Sequence, residues 1–241
     1  MIRALWKPSP FFKTRGSYPV DMVVIHHIGS KAGKLYSIEG TIIWFTDTQA
    51  HKNPQTGKIE NQVSAHYAVP REAHSDYDVV QFVKNEDIAY HAGESQWVVD
   101  GKTRKFINNY SIGIELEGDG NVVLYTDFQY DTLIDLVKSL REKFNIPESN
   151  IVGHEDIAPD RKVDPGRQFD WMRFRKGLNP PVISSVPASD TQDDALTPTV
   201  PSEKVPPEQF YMGGGTNKDG KRPNVLVSLL QAILSLFIRH K

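Results

Sequence analysis

Residues 22–28 read MVVIHHI, and this run organises everything around it. Met22, Val23, Val24 and Ile25 are apolar and largely β-branched, with no turn residue among them, which predicts one buried strand. The run ends on two imidazoles. His26 therefore sits at the C-terminal end of a core strand, where sheet sites commonly open to solvent. Strand alternation sends its neighbour His27 the other way.

Working outward, strands are also predicted at 65–69, 79–83, 111–116 and 122–125. Thr126 followed by Gln129 reads as a capping box. It opens a helix to about Phe144, with Leu133, Leu136, Val137, Leu140 and Phe144 on one face. Residues 37–46 (SIEGTIIWFT) predict a second helix that packs Ile42, Ile43 and Phe45. Strands mixed with helices imply an α/β or α+β body ending near Gly177.

The 241 residues suit one large or two small domains. A net charge of −2 offers no footing for nucleic acid. The chain has no cysteine, which excludes disulfides, thiolate zinc sites and lipidation of an N-terminal cysteine. MIRALWKPSPFFKTRG, at the start, has no continuous apolar core, so no secretory signal is read there.

Beyond the body the composition changes. Residues 178–223 are rich in Pro, Ser, Asp and Gly and predict a flexible linker. Residues 224–241 differ again: Asn224, Ser228, Gln231, Ser235 and Arg239 recur every three or four positions through an apolar segment. That spacing predicts an amphipathic helix too short to span a bilayer. Lys218, Lys221, Arg222, Arg239 and Lys241 flank it. It could fold back on the body, lie on a membrane surface or dock on a protein partner.

GHEDIAPDRKVDPG, residues 153–166, supplies what His26 lacks. Pro159 and Pro165 remove backbone donors and restrict the chain, so this stretch is expected to be neither regular helix nor strand. It presents His154, Lys162 and Asp164 together. Two imidazoles and a carboxylate can hold zinc tetrahedrally and leave one position for water. The competing reading makes His26 a satisfied strand-end histidine and the loop a plain tight turn. In SIGIELE (111–117), Ile112, Ile114 and Leu116 face one side, leaving Gly113, Glu115 and Glu117 on the other. Glu115 could act as a general base or sit on a solvated face. Lys162 could stabilise an oxyanion or be an ordinary surface lysine.

VVIHH, VSAHYAV (63–69), YHAG (90–93), YSIGIELEG (110–118), VGHEDIAPDRKVDPG (152–166) and FDWMRFR (169–175), in that order, closely resemble the AmpD-like zinc amidases. This is the N-acetylmuramoyl-L-alanine amidase family, which includes phage lysins and peptidoglycan recognition proteins. The resemblance covers about residues 3–177. It implies a central mixed sheet flanked by helices, with one zinc ion in a groove at a sheet edge. It further implies His26, His154 and Asp164 as ligands, Glu115 as the base and Lys162 as the oxyanion stabiliser. His66 and His91 fall in motifs near the groove and become candidates for touching substrate. His51, His74 and His240 match no motif and are read as surface residues. Recycling enzymes of this type usually carry an arginine just before VSAH, where this chain has Gln62.

The expected reaction is hydrolysis of the amide between the lactyl group of N-acetylmuramic acid and L-alanine, in peptidoglycan or muropeptides. Wall lysis by a protein made in the cytoplasm and then released or delivered is the leading setting. Cytoplasmic recycling of anhydro-muropeptides and a non-catalytic peptidoglycan-binding module are the alternatives.

Overall fold

The computed structural model describes residues 2–179. The predicted linker beyond Asn179 and the predicted helix at 224–241 lie outside the described residues. In chain order the strands are β1 Ala4–Trp6, β2 Phe12–Thr14, β3 Met22–His27, β4 Ser30–Lys31 and β5 Lys34–Leu35. Helix α1, Ile38–Thr46, follows. Then come β6 Tyr67–Val69, β7 Val79–Gln81, β8 Asp87–Ala89, β9 Gln96–Val99, β10 Lys102–Lys105 and β11 Ser111–Leu116. Helix α2 spans Asp127–Phe144, β12 Ile151–Gly153, α3 His154–Ile157 and α4 Trp171–Leu178.

Six strands form the central sheet in the order β1-β7-β6-β11-β3-β12. Only β6 and β7 pair antiparallel, so the sheet is mixed. Met22 to Ile25 are fully buried, as the apolar run predicts. Alternation along β3 and β11 then sorts the side chains. Val23, Ile25, Ile112, Ile114 and Leu116 join the cluster that includes Leu133 and Val137 of α2 and Phe174 of α4. Met22 and Val24 pack on the other face against Ala92, Ile107 and Ile157. His26 and Glu115 continue this second set, and they are register partners on adjacent strands. Each fully buried aliphatic side chain contributes about 1.5–3 kcal/mol, so the α2 face holds β3 and β11 rigidly in that register.

Helix α2 begins with the predicted capping box: the Thr126 hydroxyl accepts the Gln129 N–H, and the Gln129 side chain accepts the Thr126 N–H. Helix α1 is also present, with Ser37 as its cap, and Phe45 and Ile42 pack as expected, but Ile43 does not. Ile38, Thr41 and Phe45 are the buried positions, whereas Ile43 is 58% exposed. Spacing of three and four residues puts 38, 41 and 45 on one stripe and leaves 43 off it.

Two further expectations are corrected. Residues 122–125 do not form a strand: the Val122 and Val123 N–H groups both donate to the Asp119 carbonyl, closing a turn. Their β-branched composition signals a strand, but the turn takes up the two valine N–H groups that a ladder would use. The stretch 153–166 opens with a helical turn, α3, before becoming irregular. Asp156 accepts the Gly153 N–H across that turn, and the Ala158 N–H donates to the His154 carbonyl just before Pro159 ends it.

A candidate metal centre at the end of β3

Three elements deliver one cluster. His26 comes from the end of β3, His154 from the first position of α3, and Asp164 from the loop after it. His26 Nδ1 and His154 Nδ1 lie 2.9 Å apart, and each is 3.0 Å from Asp164 Oδ2. All three residues are buried. The Asp164 carbonyl accepts the Glu155 N–H, and the Tyr125 hydroxyl donates to the Pro165 carbonyl at 2.7 Å, so the loop is pinned on both sides of the carboxylate. Gly120 and Gly153 let it approach this closely, because a Cβ on either would collide with Pro165.

The donor set fits a cation. His154 Nε2 faces the Ala92 carbonyl at 3.2 Å. A carbonyl can only accept, so Nε2 carries a proton, and in the neutral ring Nδ1 presents a bare lone pair. That lone pair faces a carboxylate oxygen at 3.0 Å with no proton between them. Two buried acceptors so placed repel each other, whereas a shared cation binds both. Tetrahedral coordination at about 2.0–2.1 Å separates ligand atoms by about 3.3 Å, close to the triangle observed. Burial lowers the His26 pKa to about 4, so its imidazole is neutral, the form that ligates. Burial works against the Asp164 carboxylate, but the adjoining His154 and His26 imidazoles outweigh it and hold that group below the usual carboxylate range.

Beside the cluster, Glu115 projects from β11 with its Oε2 buried and without a hydrogen-bond partner. Burial, then the charge of Asp164, pushes its pKa up to about 8, while Lys162 pulls the other way. Both Glu115 and Lys162 line a groove of about 1290 Å³ that also exposes His26, His154 and Asp164. The sequence-predicted ligands, base and cation thus share one cavity. Tyr36 and Trp44 belong to its apolar wall, and Lys31 and Lys34 of the β4–β5 hairpin also line it. None of these four was singled out from sequence. A short hairpin and two aromatic residues carry no chemical motif, so only the fold brings them to the groove. Glu117 secures that wall: its carboxylate accepts the N–H groups of Ile38 and Arg71.

The other histidines divide differently from expectation. His66 is fully buried and does not line the groove. Its Nδ1 accepts the Gly113 N–H and its Nε2 lies 3.2 Å from the Asp87 carbonyl. Both nitrogens are used internally, which corrects its placement as a substrate contact. His91 does line the groove, but its ring nitrogens face His26 and Ser111. His51, expected at the surface, is buried between the carbonyls of Trp44 and Asn61. His74 stacks on Tyr77. His27 lies outside the cluster, its Nδ1 accepting the Gly120 N–H.

Burial, reinforced by the charge of Arg15, lowers the His66 pKa to about 3. The unfolded chain binds this proton near 6.5. Stability from neutral His66 is therefore complete above about pH 6.5 and falls as the pH drops, by up to about 1.4 kcal/mol per unit. Urea midpoints followed from about pH 7 down to about pH 5 should show a steeper loss in the parent protein than in His66→Asn. Parallel pH profiles would reject this account.

A family model described as N-acetylmuramoyl-L-alanine amidase matches residues 16–167. The chain is 38% identical over 172 residues to the 1,6-anhydro-N-acetylmuramyl-L-alanine amidase AmpD of Escherichia coli K12, covering 70% of this chain and 88% of that one. The crystal structure of a selenomethionine derivative of AmpD superposes with a TM-score of 0.59 at 34% identity, covering 74% of this chain and 96% of that one. The E. coli amidase AmiD, solved with anhydro-N-acetylmuramic acid-L-Ala-D-γ-Glu-L-Lys, superposes with a TM-score of 0.50 at 30% identity, covering 68% and 60%.

Proposed function

The chain belongs to the N-acetylmuramoyl-L-alanine amidase family, and on that footing we propose that it hydrolyses the amide between the lactyl group of N-acetylmuramic acid and L-alanine in peptidoglycan or muropeptides. One observation carries the reading: the His26, His154 and Asp164 donor atoms converge at the floor of a groove, beside a carboxylate oxygen with no partner of its own.

In this proposal the three side chains hold one zinc ion. Zinc in such a site polarises a carbonyl and allows water to be deprotonated near neutral pH. Glu115 takes the proton of the attacking water and returns it to the leaving amine of L-alanine. A raised pKa suits both duties, because the group must gain the proton as readily as it loses it. Lys162, on the groove wall, supplies positive charge as the carbonyl oxygen becomes negative. The neutral form of His26 and the bare Nδ1 of His154 support the ligand assignment.

Anhydro-muropeptide as the preferred substrate is a second reading, supported by the 1,6-anhydro substrate in the printed name of the AmpD relative. The test of both is mass spectrometry of products from intact sacculi and from anhydro-muropeptides, with and without a chelator. Stem peptides beginning at L-alanine, released only without chelator, are expected. Release from neither substrate would sink the proposal.

On sequence pattern alone, residues 1–177 are assigned to catalysis, 178–223 to a tether and 224–241 to an amphipathic helix that attaches the enzyme to a membrane surface. Among the described residues no helix is long and apolar enough to cross a membrane. Deleting residues 208–241 should abolish co-sedimentation with anionic vesicles while cleavage of soluble muropeptides persists. Unchanged sedimentation would favour a protein partner instead.

A further inference from the structure

The Ala92 carbonyl decides which nitrogen of His154 carries the proton, but nothing so direct acts on His26. Its Nε2 faces another imidazole, His91 Nδ1, at 2.9 Å. His91 Nε2 lies 3.1 Å from Ser111 Oγ, and Ser111 Oγ lies 2.8 Å from the Ile107 carbonyl. The two links of the His91 ring take one proton each, so this row has two settings, of which the second leaves the Ile107 carbonyl without the Ser111 donor. In the first, Ser111 donates to Ile107, His91 Nε2–H donates to Ser111, and His26 Nε2–H donates to His91 Nδ1. His26 Nδ1 is then bare. In the second, Ser111 donates to His91 Nε2, His91 Nδ1–H donates to His26, and the His26 proton sits on Nδ1, the atom facing Asp164 and His154. Only the first setting leaves a lone pair for a cation.

The fold builds this row deliberately into β11. Ser111, Gly113 and Glu115 alternate on the groove face of the strand. The His91 ring occupies the space where a Cβ on Gly113 would be, and the Asn108 side chain accepts the N–H groups of His91 and Ala92. Ser111 is itself fully buried, so no water competes for its hydroxyl.

We propose that Ser111 is a positioning residue whose hydroxyl, anchored on the Ile107 carbonyl, accepts the His91 Nε2–H and so holds His26 in the tautomer whose Nδ1 ligates the metal. This rests on the metal reading above. The hydroxyl acts through two intervening rings, without touching substrate or metal. Partners that orient ligating histidines in this way typically account for about 10–100-fold in metal affinity.

The test compares zinc dissociation constants, measured by chelator competition, for the parent, Ser111→Ala, His91→Asn and the double variant. Ser111→Ala strands the buried His91 Nε2–H and turns the row toward its second setting, so affinity should fall about 10–100-fold. His91→Asn can offer His26 an amide oxygen without help from position 111. In that background Ser111→Ala should cause no further loss, a coupling that general destabilisation does not produce. Two-bond ¹H–¹⁵N spectra of the zinc-loaded parent should place the His91 proton on Nε2. If the parent binds no zinc, the metal reading fails and this inference with it. If the parent binds zinc but Ser111→Ala binds it equally well, or the His91 proton is on Nδ1, the role of Ser111 is overturned and the metal reading stands.

Discussion

Glu115→Ala is expected to cut amide cleavage by about 10²–10⁴, the range a general acid–base group supplies, while the metal content of the protein stays unchanged. The carboxylate lies outside the three-ligand set, on the strand beside His26. Its removal therefore deletes proton transfer and leaves the donor atoms in place. Folding should not suffer, since a buried Oε2 without a partner is a liability in the folded state. Turnover by product chromatography and zinc content by elemental analysis check the two halves. Near-parent turnover in the zinc-loaded variant would remove Glu115 from the mechanism.

Asp164→Ala should fail on both counts. Asp164 is the only anionic member of the cluster and lies 3.0 Å from both imidazoles. Without it two neutral nitrogens remain, and zinc affinity should drop by well over the roughly 100-fold that an outer-shell partner accounts for. The polarisation supplied by a bound ion is worth several kcal/mol, so activity should fall by at least about 10³-fold. The loop itself should survive, because its anchors are the Asp164 and Pro165 backbone carbonyls, not the carboxylate. Retained zinc at parent affinity would show that the ion sits elsewhere. Together the two variants test separately the proton transfer proposed for Glu115 and the metal binding proposed for Asp164.

Much of this was legible in the chain. MVVIHHI announced a core strand ending in a buried imidazole, the Thr126–Gln129 pair announced α2, and SIGIELE placed Glu115 opposite the apolar face. These signals are local, arising from alternation, capping and β-branching within a few residues. What was misread depends on neighbours. Residues 122–125 are strand-like in composition but fold back onto the Asp119 carbonyl. The apolar residues of α1 did not reveal which stripe the sheet would cover. His51 and His66 looked peripheral or substrate-facing because burial is set by what packs around them.

Local pattern by itself determined the central strand, the main helix and the residue types able to bind a metal and move a proton, because each is written in consecutive spacing. Tertiary structure alone decided that His26, separated from His154 by 128 positions, meets it nitrogen to nitrogen at 2.9 Å, and that His154 Nε2 faces the Ala92 carbonyl. Hydrogen-bond direction belongs to pairs of groups brought together through space, and only folding creates those pairs.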